Sequence, residues 1–465
     1  MTQHPVAICG GGISGLALAY RLFKKGIPFE LFEASGRFGG NIVTCAHDGF
    51  LYDLGPDSFL RTKPAAAALC KEVGLGGQLI APRESGAGVL VAHDGRLCPL
   101  PEGLTLGVPK RPGPILTTPL LSAEAKLRAL LEPFVPPGGA SEETIAQFMS
   151  RRLGKEAAAV LASPLLAGVF AGDAERLSMA AAFPQLVAAE KKHGSLFSGL
   201  NGGKGIFEVL FSRSSPAQNP FLSLRGGLGK LVERLVEQLP KKHLHLNRRV
   251  CSLQSHGEGA RLDLLSSRGE RSSQVARQVC FAGPPWAAAA LFSTMQAALS
   301  EPLTAIRGFS TATVFFGFDA RTVDHSLSAS GFIVPPGEGD ILASTFISSK
   351  WESRAPAGKV LIRAFLGGAR TDIREQTDSS LVLTARSELS RLLGRLGEPE
   401  FSRVHRYERG TPQPEIGHQK RLQQIHSELA EVPWLSLLGS GYGSVGIPDC
   451  LAQANARAES IEQGS

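Results

Sequence analysis

The residues with the clearest chemical pattern are three glycines near the start of the chain. Gly10, Gly12 and Gly15 follow a short apolar run and take the glycine positions of G-x-G-x-x-G. This spacing suits a tight turn between a strand and a helix, in which bare backbone approaches a pyrophosphate and the helix N-terminus faces its charge. Because glycine-rich turns are common, the hexamer indicates a dinucleotide site only when the neighbouring segments agree.

Two further features choose the dinucleotide. Glu33 ends a second apolar strand, where a carboxylate can accept both hydroxyls of an adenosine ribose and would repel a 2′-phosphate. This favours FAD or NAD over NADP; the alternative is an ordinary solvated charge at a strand end. Arg37 and the Gly39-Gly40 pair add bare backbone and a positive charge, which an extended flavin dinucleotide needs and a nicotinamide cofactor does not. The sequence therefore predicts FAD.

The length and composition predict how these residues are supported. The chain has 465 residues, of which 43% are hydrophobic and 20% charged, as in globular proteins of two or three domains. We expect an α/β protein with a Rossmann-like, discontinuous FAD-binding domain, a mixed-sheet substrate-binding domain and a helical insertion. The predicted segments are 1–85, 220–285 and 426–465 for FAD, 86–99, 196–219 and 286–425 for the substrate, and 100–195 for the helical insertion.

Several predicted elements bring distant parts of the chain back to the first domain. Apolar runs predict strands over 221–224, 244–250 and 278–282 that extend the first sheet. A strand over 434–439, followed by a helix, returns the chain to the cofactor domain at its end. In the helical insertion, Ser141 and the acids after it predict a helix start.

Charge and cysteine content exclude some classes of function. The formal net charge is +7, and the seven cysteines show no C-x-x-C pair or metal-ligand spacing. We expect reduced thiols and a cytoplasmic protein without a metal site. The short basic runs carry no interleaved aromatic residues, so no nucleic-acid partner is expected. The first strand begins close to residue 4, which leaves no room for a signal peptide, and the weakly polar run 157–172 is shorter than a membrane span.

Motifs far from the first turn carry a resemblance that runs nearly end to end. They lie at 132–136 (EPFVP), at 166–183, at 412–418 (PQP and GH) and at 446–450 (GIPDC). With the N-terminal fingerprint, these motifs resemble the protoporphyrinogen oxidase family of the flavin amine oxidase superfamily. The fingerprint alone is shared across that superfamily and does not select one activity.

The resemblance implies a set of FAD contacts. They lie in the first turn, after the second strand, in the second glycine pair, near the flavin ring and close to the C-terminus. The residues are Gly10, Gly11, Gly12, Ile13, Ser14, Gly15, Glu33, Ala34, Arg37, Gly39, Gly40, Asn41, Gly55, Pro56, Asp57, Ser58, Val250, Ser440, Val445, Gly446 and Ile447.

The resemblance also implies substrate contacts. Arg83 is similar to an arginine that binds a propionate, with a surface position as the alternative. Val334 and Phe365 are similar to apolar residues that press on a macrocycle, with core packing as the alternative. The sequence shows no positioned acid–base pair or nucleophile. Asp57 is the one candidate for taking a proton near the flavin, although some members of the family have arginine at the similar position.

The implied reaction is the oxidation of protoporphyrinogen IX to protoporphyrin IX in several flavin cycles, with dioxygen or another acceptor taking the electrons. Three alternatives stay open: oxidation of coproporphyrinogen III, another reaction of the superfamily such as amine oxidation or carotenoid desaturation, and a non-catalytic FAD- or porphyrin-binding protein. The resemblance also implies that the helical insertion can rest on the inner face of the cell membrane. A homodimer is a further expectation.

Overall fold

The structure is a computed structural model that describes residues 4–86, 88–139, 141–204, 219–443 and 445–463. Most of the predicted substrate-domain segment 196–219 therefore lies outside the described residues.

The strands are β1 (Val6–Cys9), β2 (Phe29–Phe32), β3 (Thr44–His47), β4 (Phe50–Asp53), β5 (Phe59–Leu60), β6 (Leu79–Ile80), β7 (Leu90–His93), β8 (Arg96–Pro99), β9 (Leu104–Thr105), β10 (Val108–Pro109), β11 (Phe221–Leu224), β12 (Leu244–His245), β13 (Arg248–His256), β14 (Gly259–Ser266), β15 (Arg271–Ala276), β16 (Gln278–Phe281), β17 (Gly308–Asp319), β18 (Gly331–Ile333), β19 (Ala343–Phe346), β20 (Lys359–Gly367), β21 (Phe401–Pro412) and β22 (Leu435–Leu437).

The helices are α1 (Ile13–Lys24), α2 (Pro64–Glu72), α3 (Pro112–Thr117), α4 (Ala123–Leu130), α5 (Ile145–Leu153), α6 (Lys155–Ala157), α7 (Ser163–Gly168), α8 (Met179–Ala182), α9 (Pro184–His193), α10 (Leu196–Leu200), α11 (Gly229–Gln238), α12 (Pro285–Phe292), α13 (Ala297–Thr304), α14 (Ile347–Lys350), α15 (Asp378–Leu393), α16 (His418–Ala430) and α17 (Ile447–Gln463).

The first sheet is parallel and is assembled from distant parts of the chain. Its strand order is β12-β2-β1-β16-β22, with every neighbouring pair parallel. Helices α1 and α17 pack against one face, and residues of β14 and α12 belong to the core on the other. Burial on both faces explains why these strands read as continuous apolar runs. The fold class predicted from the sequence, a Rossmann-like α/β protein with a mixed second sheet, is confirmed.

The prediction that residues 221–224 extend this sheet is wrong. They form β11, which pairs antiparallel with β5 and β6 in a small separate sheet. An apolar run indicates that a strand is buried but does not indicate which strand pairs with it. Here the pairing strands lie more than 140 positions earlier in the chain. The run 244–250 is also divided: only β12 joins the first sheet, and β13 opens an antiparallel sheet with β14.

The start of α5 also differs from the prediction. The helix begins at Ile145 rather than at Ser141, and Thr144 is its N-cap. The Thr144 hydroxyl accepts from Gln147 N, while Gln147 Oε1 accepts from Thr144 N, which is a complete capping box. Thr144 also forms an isolated bridge with Ser178, so tertiary pairing keeps the preceding residues extended.

The second sheet is mixed and larger. Its strand order is β21-β17-β20-β19-β18-β7-β8; β18 and β7 are parallel, and the other pairs are antiparallel. Helix α15 covers one face through an apolar core, and the other face meets the segment after β4. This sheet therefore forms a wall opposite the residues predicted to lie near the flavin.

Helices α3 to α9 of the helical insertion pack around an apolar core that residues of α10 and β7 also join. A short turn over Glu132–Phe134 anchors it, because Arg152 and Glu132 are almost fully buried and hydrogen-bonded to each other. Among the described helices, none has both the length and the apolar composition needed to cross a membrane.

Candidate cofactor and active site

The three glycines of the first turn have different surroundings. A Cβ on Gly15 would lie 1.9 Å from Gly10 O, and one on Gly10, whose φ is +118°, would lie 2.7 Å from Ala282 O. Both positions are therefore closed by packing. A Cβ on Gly12 would meet nothing nearer than Gly40 Cα at 4.0 Å. Gly12 thus leaves a bare cradle that a side chain would fill, as a pyrophosphate site requires.

The helix that follows presents free donors to this cradle. Gly12 is the N-cap of α1 and offers no side-chain acceptor, and the first turn, which starts with Ile13 and Ser14, contains no acidic residue. The first backbone N–H groups of a helix have no partner within it, and the helix dipole adds positive potential there. The turn therefore suits a phosphate group.

Glu33 fixes the edge of the cradle where a ribose would lie. Its Oε2 accepts from Gly11 N at 2.7 Å, and its Oε1 accepts from Ser35 N at 2.8 Å. The carboxylate is half-buried, and Ala34 beside it is exposed. Each oxygen keeps lone-pair capacity for a sugar hydroxyl. The alternative interpretation, a simple solvated charge, does not account for the bond to the glycine turn.

The second glycine pair lies directly against the first turn. Gly39 N donates to Gly11 O at 2.8 Å, and Gly39 and Gly40 have φ of +106° and +57°. The exposed side chain of Arg37 donates to Gly40 O at 2.8 Å. This bond holds a guanidinium beside the bare backbone, where it can face the second phosphate of an extended cofactor.

The segment Gly55–Ser58 approaches the second sheet. A Cβ on Gly55 would lie 2.2 Å from Asn41 O and 2.8 Å from the Tyr407 hydroxyl. The Tyr407 hydroxyl donates a hydrogen bond to Asn41 O at 3.3 Å. Position 55 therefore requires glycine, because a side chain there would collide with Asn41 of the predicted cofactor site and with Tyr407 on β21 of the second sheet.

Asp57 is enclosed by cations. Its carboxylate accepts from Lys350 Nζ at 3.0 and 3.1 Å and from Trp351 Nε1 at 3.1 Å, and Arg363 Nη2 lies 3.5 Å away. Burial by itself would raise the pKa of Asp57, but Lys350 and then Arg363 hold it well below its usual range. Such a carboxylate stays ionised and has its oxygens occupied, so this geometry does not suit a proton acceptor.

Arg363 is a candidate site residue that the sequence motifs do not indicate. Its Nη1 donates to Asp53 O at 3.1 Å and to Gly55 O at 2.9 Å. Its guanidinium carbon lies 4.4 Å from the centre of the Phe365 ring. An arginine in the middle of a buried strand is uncommon and was the signal that could have found it. Arg363 joins the flavin-side loop to the wall that faces it.

The three predicted substrate contacts differ in how deeply they are buried. Phe365 is half-buried and lies beside Arg363 on the face of β20 that meets the cofactor side. Val334 is fully buried in the core under α15, so contact with a ligand would require that core to open. Arg83 is exposed, and its backbone N donates to Lys350 O at 2.9 Å. The structure thus brings Phe365 and Arg83 near the Asp57 cluster, and Val334 takes the core position.

The C-terminal segment closes the predicted cofactor site. A Cβ on Gly439 would lie 3.5 Å from the Ser14 hydroxyl, so the segment that continues through Ser440 starts beside the N-terminus of α1. Val445 and Gly446 are half-buried and lead into Ile447, the first residue of α17.

Val250 lies apart from these residues in sequence but joins the same sheet region. It is half-buried in β13, pairs with Leu264 and packs against the core behind the first sheet. Val250 is similar in position to a valine whose backbone meets the adenine of FAD in the family that the motifs resemble, and this contact stays a prediction.

The donor set as a whole fits FAD. A glycine cradle at a helix N-terminus, a carboxylate placed for a ribose and an arginine beside the second glycine pair are joined to one another by direct contacts. The segment near Gly55 then extends the site toward the wall of Phe365. The predicted site is therefore longer than the glycine turn that a nicotinamide dinucleotide fingerprint alone would need.

Comparisons with known proteins support this assignment. The model of the flavin containing amine oxidoreductase family matches residues 13–461. The chain is 33% identical to a coproporphyrinogen III oxidase of Bacillus subtilis, with 97% of this chain and 96% of the relative covered. It is 25% identical to protoporphyrinogen oxidase 2 of Arabidopsis thaliana, covering 96% and 91%. A crystal structure from Exiguobacterium sp., named as a candidate protoporphyrinogen oxidase, superposes with a TM-score of 0.86 at 30% identity and full coverage of both chains.

The resemblance inferred from the motifs is therefore confirmed, as are the predictions of an enzyme and of FAD. The chain belongs to the flavin containing amine oxidoreductase family and is an FAD-dependent oxidoreductase.

Proposed function

We propose that this protein oxidises a porphyrinogen to the corresponding porphyrin, with protoporphyrinogen IX as the substrate. The observation that carries the proposal is similarity along the whole chain to porphyrinogen oxidases, covering 96% or more of this chain in each case. Amine oxidase structures resemble it at 16–17% identity and share the fold alone.

The site supports this chemistry through placement and charge. Bound FAD would supply the two-electron oxidation of the substrate. Phe365 offers an aromatic face and Arg363 a fixed cation on the wall opposite the flavin-side loop. A flat macrocycle needs such a wall, because its orientation decides which carbon reaches the cofactor. Asp57 keeps Arg363 and Lys350 in place rather than removing a proton.

Coproporphyrinogen III is the second candidate substrate. The coproporphyrinogen III oxidases of Bacillus subtilis, Propionibacterium freudenreichii and Staphylococcus aureus are 33%, 31% and 30% identical to this chain. Several plant protoporphyrinogen oxidases reach 25–30%. The two candidate substrates differ in their number of carboxylates.

Turnover of both substrates tests the proposal. The FAD-loaded protein would be supplied with protoporphyrinogen IX or coproporphyrinogen III in air, and porphyrin fluorescence would be followed. We expect kcat/KM for protoporphyrinogen IX to exceed that for coproporphyrinogen III. The opposite ratio would move the assignment to the second candidate, and no rate above the cofactor-free control for either would contradict the proposal.

Dioxygen is proposed as the electron acceptor, reduced to hydrogen peroxide as each flavin cycle closes. Oxygen uptake in step with porphyrin formation tests it, and reoxidation only by an added quinone would contradict it. A homodimer stays a prediction, for which sedimentation of the FAD-loaded protein is the measurement.

We also propose a cytoplasmic protein that contacts the membrane surface through the helical insertion. Support comes from exposed apolar side chains on α3, α4 and the turn after it: Leu116, Leu127, Leu131 and Phe134. Phe134 is 74% exposed and Leu127 62%. Apolar groups clustered on one side of a domain mark interaction surfaces, and a net charge of +7 favours anionic lipid.

Vesicle flotation tests this contact. We expect the protein to float with anionic vesicles, and the double variant Leu127→Ser/Phe134→Ser to stay in solution. Leu383→Ser is the matched control, because Leu383 is 69% exposed on α15, outside the helical insertion. Equal flotation of the double variant and the control would contradict the proposal.

A further inference from the structure

A large groove lies away from the predicted cofactor residues. It has a volume of about 740 Å³ and runs between helices α12 and α13 and one end of the second sheet. The glycine turns, the segment Gly55–Ser58 and the C-terminal segment do not line it. Ligand sites commonly have volumes of roughly 300–1,000 Å³, so the groove is large enough for a whole organic ligand.

Two aromatic side chains line the groove. Trp286 packs against Gly308, where a Cβ would lie 2.6 Å from the indole ring. The guanidinium of Arg307 lies 5.6 Å from the centre of the Phe309 ring. With Ile306 nearby, these residues give flat apolar surface beside cationic groups. Such a lining suits a flat ligand with charged edges.

The charges that line the groove are unbalanced. Four arginines line it, with Asp372 as their acidic counterpart. Arg374 is paired with Asp372, and Arg307 is paired with Glu415. The positive charge that remains is carried by two arginines, Arg370 and Arg409.

Neither of these two arginines has a carboxylate partner within the described ranges. Arg370 is half-buried and donates only to neutral carbonyls, Ile341 O at 3.0 Å and Val334 O. Burial lowers the pKa of its guanidinium. Arg409 is exposed, with a φ of +48°, and its backbone N donates to Ser310 Oγ at 3.1 Å. A ligand carboxylate would neutralise either group.

We propose that this groove is a second binding site, distinct from the flavin-facing wall, for a flat aromatic polycarboxylate, and that Arg370 and Arg409 bind its carboxylates. A free phosphate would fill only a small part of the volume and would not use Trp286 or Phe309. The proposal rests on the proposed function in one respect, because the porphyrin product of that reaction belongs to this ligand class. The site would hold product after it leaves the flavin.

Equilibrium dialysis of the FAD-loaded protein with coproporphyrin III tests the site. This probe is already oxidised, so its binding is independent of turnover. We expect Arg409→Gln to remove one class of bound porphyrin or to weaken it at least tenfold. Arg268→Gln is the matched control, because Arg268 is exposed on the turn between β14 and β15. Identical stoichiometry and affinity in the wild type and both variants would overturn the proposal.

A second variant and a second readout separate the outcomes. Arg370→Gln should act in the same direction as Arg409→Gln, and if it fails to fold, Arg409→Gln alone decides. Anaerobic flavin reduction by a porphyrinogen in a single turnover should be unchanged in Arg409→Gln. A wild type that reduces no flavin but shows the Arg409-dependent porphyrin site would defeat the proposed function and leave this site standing.

Discussion

Replacing Asp57 by asparagine removes the anion that Lys350 and Arg363 share. Asp57 is 8% exposed, and the side chains of Lys350 and Arg363 are 14% and 4% exposed, so two cations would be left largely buried without their partner. Removing one member of a buried ion pair costs about 3–5 kcal/mol. The lower end applies, because asparagine can still accept from Trp351 Nε1 and Arg363 keeps two carbonyl acceptors. We expect a loss of about 3 kcal/mol in the free energy of unfolding at pH 7.

The same variant should change the pH dependence of stability. The pKa of Asp57 is lower in the folded protein than in the unfolded chain, so its contribution is complete above pH ~4 and is lost as pH falls below that value. Urea unfolding of Asp57→Asn should therefore lack this acid-side loss. The control is Asp48→Asn, since Asp48 is 86% exposed and should stay within about 0.5 kcal/mol of the wild type.

Activity distinguishes a positioning role from proton transfer. In the folded, FAD-loaded Asp57→Asn protein we expect the pH profile of kcat to keep its shape. The double variant Asp57→Asn/Lys350→Met should be more stable than the sum of the two single losses, because it removes both charges. Wild-type stability and FAD content together with an abolished kcat would refute this reasoning and make Asp57 the proton acceptor.

Three other predictions concern separate parts of the chain. Gly12→Ala should fold normally but bind FAD at least tenfold more weakly in a flavin titration. Gly77→Ala is the control, because a Cβ there also meets open space, and it should bind FAD as the wild type does. Equal affinities of the two variants would contradict a pyrophosphate site at Gly12. Burial lowers the pKa of His418 to about 4 from 6.5, so this group should cost up to about 3 kcal/mol of stability as pH drops through that interval. In urea unfolding, His418→Gln should therefore lose less stability over this interval than the wild type does. Glu132→Ala should cost about 3–5 kcal/mol, because it leaves Arg152 buried and unpaired, and a loss under about 1 kcal/mol in the same assay would count against that pair.

The cofactor turn could be predicted from sequence because its constraints are local. Gly15 is fixed by contact with Gly10 five positions earlier, all three glycines lie between one strand and the helix that follows it, and Glu33 comes at the end of the next strand; the contact of Gly10 with Ala282 is distant in the chain and could not be read from this motif. Hairpin β7–β8 was predictable for the same reason: Asp94 and Gly95 both have positive φ, as a two-residue hairpin turn requires.

The environment of Asp57 could not be predicted, because its partners are distant. Lys350 and Arg363 lie about 300 positions later in the chain, and only the approach of the second sheet to the first domain brings them to the carboxylate. The partners of β11 were missed for a similar reason. Thr144 rather than Ser141 caps α5 because a bridge to Ser178 competes with the local signal.

Anaerobic mixing of the FAD-loaded protein with a porphyrinogen shows directly whether the flavin accepts electrons from this substrate. Flavin absorbance and porphyrin absorbance would be recorded together with protoporphyrinogen IX and, separately, with coproporphyrinogen III. We expect at least one of them to bleach the flavin at a saturating rate while porphyrin appears, and protoporphyrinogen IX to be the faster. A flavin that stays oxidised with both would contradict it.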